Sequence, residues 1–173
     1  MLVRLSAAIA AAMLLSSAAL AQDAKPTDPQ IAHIAYTAGV IDITAAKQAL
    51  EKSENKAVKA FAADMVRDHE AVNDKALALV KKLKVTPEDN DTSRTLSKNA
   101  AAKLKELAAL KGAAFDKAYI DNEVAYHKAV DSALETLLIP SASNAELKSL
   151  LQTGLKIFQG HEQHAEHVAA ELK

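Results

Sequence analysis

Apolar residues recur every three or four positions along most of this chain, the spacing that lines one face of an α-helix. One stripe reads Val58, Phe61, Met65, Val72, Ala76, Leu79 and Leu83. Another reads Leu147, Leu151, Gly154, Phe158, then Ala165, Val168 and Leu172. A third runs back from Leu137 through Leu134 to Val130. Breaker residues set the bounds. Asp28-Pro29 offers an N-cap and the proline favoured at the first helical position, so a first helix is expected from Asp28 to about Lys52. A tight turn at Ser53-Glu54-Asn55 leads into a second, ended by Thr86-Pro87, because the residue before proline avoids the helical region. After a polar loop, a shorter helix over residues 94–111 is closed by Gly112. A long helix over residues 114–138 is stopped by Pro140. Ser143 and Glu146 form a capping box that opens the last helix, and Gly154 and Gly160 within it offer close helix approach.

The turns are short, so the first two long helices form one antiparallel hairpin and the last two form another. The intervening short helix spans about 18 residues, or about 27 Å at 1.5 Å per residue. That is long enough to bring the chain back to the level where the second helix began. The expected fold is therefore all-α: an antiparallel four-helix bundle, ferritin-like, with a shorter crossover helix between the second and third long helices. A simple up-down-up-down bundle with the short helix packed outside is the alternative.

Ionisable residues interrupt the stripes, and candidate chemistry is sought there. His69 falls between Met65 and Val72, and Asp42 between Ala38 and Ala45. Glu123 and His127 continue the third stripe, and His161 interrupts the last, with His164 one turn further on. With the crossover path, Asp42 and His69 stand about 18–22 Å above the first turn, and Glu123 and His127 about 14–20 Å. His161 and His164 fall at about 17 and 12 Å. Imidazoles and carboxylates converging inside a bundle are the ligand set of helical metal sites. Asp42, His69, Glu123, His127, His161 and His164 are thus candidate ligands for a transition metal such as copper, zinc, iron or manganese. Asp42, Glu123, His69 and His127 read equally well as a metal-free polar layer that fixes helix register. The run from His161 through His164 to His167 reads either as a peripheral copper, nickel or zinc site or as a solvated helix end.

The composition narrows the picture. The chain has no cysteine, which excludes disulfides and thiolate metal sites. Its formal net charge of −1 shows no basic excess of the kind nucleic-acid binding requires. No glycine-rich phosphate loop or nucleophile elbow is present. At the start, Arg4 precedes an apolar run of about 16 residues and then Ala19-Leu20-Ala21. This is the pattern of a cleaved signal peptide, too short to span a bilayer. Residues 1–21 are therefore expected to be removed, leaving 22–173 as one exported domain with no transmembrane segment.

The segment Val58-Lys59-Ala60-Phe61-Ala62-Ala63-Asp64-Met65-Val66-Arg67-Asp68-His69 resembles the DUF4142 family. So do Phe115-Asp116-Lys117-Ala118-Tyr119-Ile120 with His127 seven residues on, and the late His161. The resemblance spans nearly all of residues 31–172. It implies a ferritin-like fold, this helix order, and a periplasmic or outer-membrane-associated location, but little about activity. His69, His127 and His161 match the family's recurring histidines, and Asp42 stands where the family commonly has Glu. The Glu-x-x-His signature of di-iron proteins is absent, since Val66, Val124 and His161 precede His69, His127 and His164 at that spacing. The resemblance therefore carries no ferroxidase chemistry. Two readings stay open: an exported bundle that binds a metal, and a structural or stress-related envelope protein with a protein partner. A redox metalloenzyme is a third and weaker fit.

Overall fold

In the computed structural model, which describes residues 25–172, the chain forms five helices and, among those residues, no strand. They are α1 (Asp28–Lys52), α2 (Lys56–Leu83), α3 (Asp91–Ala109), α4 (Gly112–Ala133) and α5 (Ala145–Glu171). A π-helical turn, Leu134–Leu138, and one α turn, Ile139–Ser141, prolong α4. The expected signal peptide, residues 1–21, lies outside the described residues. No described helix is long and apolar enough to cross a membrane.

The caps differ from the expected ones in instructive ways. Thr27, rather than Asp28, caps α1, in a capping box with Gln30. Asp28 is thereby free to accept the backbone N–H groups of Ser143 (2.8 Å) and Asn144 (2.9 Å), tying the start of α1 to the α4–α5 connection. Ser143 is used in that tie, and Asn144 caps α5 by accepting from Glu146 and Leu147. Asn55 caps α2 by accepting from Ala57 and Val58. Lys84, with φ 54°, ends α2 before Thr86-Pro87 is reached. Asn90 and Ser93 cap α3, which starts three residues earlier than the pattern suggested. Gly112 has φ 54° and opens α4 instead of closing α3, a conformation glycine adopts without steric cost.

Pro140 does not stop the fourth helix. Proline cannot donate to the carbonyl four residues back, and its ring crowds that carbonyl. The helix widens into the π turn just ahead of it. The extra residue in that turn rotates the register, so Leu138 is buried and Leu137, expected in the inner stripe, is 41% exposed.

The helices α1, α2, α5 and α4 pack in that cyclic order around the core, with α3 against the outer side of α1. At its start α3 is anchored near the beginning of α1: Glu88 N–H donates to the Pro29 carbonyl, and the Asn90 amide to that of Gln30. At its far end, Gln48 donates to the Leu104 carbonyl and Lys52 to that of Ala108. The helix therefore delivers the chain to the level of the α1–α2 turn, where Lys52 sits over the Phe115 ring.

Two apolar clusters fill the bundle. One, beside the α1–α2 turn, contains Ala46, Phe61, Met65, Leu107, Phe115, Tyr119 and Ile120. The other, beside the α4–α5 connection, contains Ile31, Ile34, Leu134, Leu138, Leu147, Leu151 and Phe158. Along each of the four bundle helices the switch between clusters falls at the polar interruptions: Asp42, His69, Glu123 with His127, and His161. A buried polar layer thus crosses the bundle near mid-height.

Candidate metal centre

Each helix brings its polar residue inward for the same reason: it occupies a stripe position, three or four residues from apolar neighbours that must be buried. His69, His127 and His161 are nearly or fully enclosed. Their ring centroids are 5.8, 5.2 and 5.5 Å apart pairwise. One nitrogen from each lies within 4.8 Å of the others. Asp42, Glu123 and His127 form a second such group, with His127 common to both.

Hydrogen bonds fix two of the tautomers. His127 Nδ1 lies 3.0 Å from the Glu123 backbone carbonyl. A carbonyl only accepts, so Nδ1 carries the proton and Nε2 carries the lone pair. His161 Nε2 donates to Asp68 Oδ2 at 3.0 Å, and Arg67 holds that carboxylate through two further bonds, of 2.7 and 2.8 Å. His161 Nδ1 therefore carries the lone pair. His127 Nε2, His161 Nδ1 and both ring nitrogens of His69 are buried without a hydrogen-bond partner among the described residues. His69 Nε2 is 3.5 Å from Asp42 Oδ2, too long to count as a hydrogen bond. Phe158 stacks flat on His69, with centroids 4.6 Å apart.

Burial decides the charge states. It pushes His69 down to about 2, helped by His127 and His161 nearby. It pushes His127 down to about 4, against the opposing bond from the Glu123 carbonyl, and it lowers His161 against the pull of Asp68. All three imidazoles are neutral at neutral pH, the form that binds metals. Burial also raises Glu123 to about 7. It raises Asp42 well above the usual carboxylate range, with the charge of Glu123 adding to the effect. The two acids keep a proton between them near neutrality. The Tyr119 hydroxyl is buried nearby without a partner, whereas Tyr126 donates to the Ala38 carbonyl.

His164 falls outside both groups. It is partly exposed, 3.8 Å from an Asp64 oxygen and edge-on to Phe61. Three residues advance a helix about 300°, so His164 points roughly 60° away from His161. His167 is exposed and pairs with Glu171. The stripe pattern did not reveal Asp68 or Phe158 as parts of the site. Asp68 lies one residue off the inner face of α2, and Phe158 reads as ordinary core.

Three neutral imidazoles with inward lone pairs, two of them held by second hydrogen bonds, make a donor set for zinc, copper, iron or nickel. An ion held at about 2.0–2.1 Å by each would bring the nitrogens to about 3.3 Å apart. Compared with known proteins, a family model described as a domain of unknown function, DUF4142, matches residues 14–168. No curated protein and no solved structure matches the chain.

Proposed function

The chain belongs to the DUF4142 family, and we propose that it is an exported, ferritin-like bundle that holds one transition-metal ion between His69, His127 and His161. The observation that carries this is the set of buried, unpartnered ring nitrogens facing one another. A buried polar atom without a partner is costly, and one nitrogen from each of the three rings lies within 4.8 Å of the others. A metal-free polar layer would need another partner for these lone pairs, since no side chain or backbone group of the described residues meets them. Asp42 and Glu123 stand beside the three histidines as charge-balancing groups, and Asp68 with Arg67 orients His161. Bound there, the ion would supply Lewis-acid or electron-transfer chemistry. The chain's own part is to keep the imidazoles neutral, oriented and dry. The periplasmic or outer-membrane-associated location rests on the signal-peptide pattern of residues 1–21.

The test uses protein purified without a histidine tag, equilibrated in turn with copper, zinc, iron and manganese and then freed of loose metal. Elemental analysis is expected to find one ion per chain. His69→Ala and His127→Ala should each lower affinity at least tenfold, and His164→Ala should leave it unchanged. No stoichiometric uptake of any of these metals would return the site to the reading of a structural polar layer. Uptake that survives both histidine replacements would place the ion elsewhere.

A further inference from the structure

Above the histidines, in the half of the bundle beside the α4–α5 connection, lies a cavity of about 210 Å³. All five helices contribute to its wall. Small side chains, among them the half-buried Ala35, Ala38 and Ala76, line it and leave the space open. No charged side chain lines it. Asn73 is the one buried polar residue of the wall, with its amide packed against Gly39. The Tyr126 hydroxyl at the edge is already committed to the Ala38 carbonyl. Phe158 forms the part of the wall nearest the histidines.

A wall like this offers water few of the two to four polar partners it needs. An apolar cavity of about 150 Å³ is already large enough to take benzene. The core of the other half is filled by Phe61, Met65, Phe115 and Tyr119, all fully buried, and a space of similar size between α1, α3 and α4 differs in being walled partly by Asn99, Lys103 and Asn122. We infer that this cavity is a binding site for a neutral, largely apolar molecule of about single-ring size, with Asn73 available to one hydrogen-bonding group on it. Acids, phosphates and ammonium compounds are excluded by the lack of a compensating charge. The inference does not draw on the metal reading, because no histidine lines the cavity.

Toluene serves as the probe, with benzoate as its charged counterpart of similar size. Thermal melts of the purified chain are run in EDTA, so that any metal contribution is removed. Toluene is expected to raise Tm saturably, by about 3 °C at concentrations near ten times Kd, and benzoate to leave it unchanged. Ala76→Leu, which fills the space, should abolish the toluene shift. Should that variant not fold, crystals of the unaltered chain under xenon are expected to show the gas in the cavity. The inference is overturned if toluene produces no saturable shift, if benzoate matches it, if the shift survives in a folded Ala76→Leu protein, or if xenon does not enter.

Discussion

The half of the bundle beside the α1–α2 turn and the half beside the α4–α5 connection are built from the same four helices, yet they are filled differently. The first holds two phenylalanines, a tyrosine and a methionine, with Phe115 and Tyr119 stacked and Phe61 edge-on to Tyr119. The second is lined by leucine, isoleucine and alanine around an open space. Between them runs the polar layer. The difference teaches that periodicity fixes which face of a helix is buried, whereas side-chain volume fixes whether the buried space is filled. Dense packing on one side of the layer gives the histidines a rigid floor. The looser side leaves room next to them.

The largest expected effect comes from attacking the layer itself. His69 and His127 titrate far lower in the folded chain than in the unfolded one, about 2 and about 4 against 6.5. Their contribution to stability is therefore present above pH 6.5 and is lost as pH falls through about 4, on the order of several kcal/mol without metal. Glu123 works oppositely. Its folded value of about 7 exceeds the ordinary 4.5, so its contribution is lost as pH rises from 4.5 through 7. Urea melts of the metal-free chain from pH 4 to 8 should thus show maximal stability between these limits. A flat profile would mean that the layer is open to solvent.

Next in size is Phe61→Ala in the dense half, expected to cost about 3–5 kcal/mol. Leu151→Ala in the open half should cost nearer 2 kcal/mol, since its neighbours are already absent on the cavity side. Equal losses in urea melts would erase the contrast between the halves. At the seam, Gly39→Ala should cost about 2 kcal/mol despite alanine's better helix propensity, because its Cβ would clash with Asn73 Oδ1. The smallest effect is a gain: Ala76→Leu should add about 1 kcal/mol by filling space. A loss there would show that the open half has no room for added volume.

Much of the site could be read from the chain. Asp42, His69, Glu123, His127 and His161 each break an apolar stripe, and helical geometry put them at one height. His164 could not be excluded by spacing alone, since a 60° offset decides between the interior and the rim. Asp68 was hidden because a residue beside the stripe normally faces water. Here α5 approaches closely enough for His161 to reach it. The π turn was also hidden. Pro140 signals a break, but whether a helix ends or widens depends on what packs beyond it. The cavity left no trace in the pattern, because alanine marks an inward position without saying what lies across from it. Gly160, noted for close approach, has open space around it, and Gly39 is where two helices actually press together.

The tie between Asp28 and residues 143–144 joins points 115 and 116 residues apart in the chain. Closing a loop this long costs chain entropy before the contact repays it. The Asp28 carboxylate has these two partners only once residues 143 and 144 are in place. A chain stopped short of residue 144 has no clasp between its first helix and its last connection.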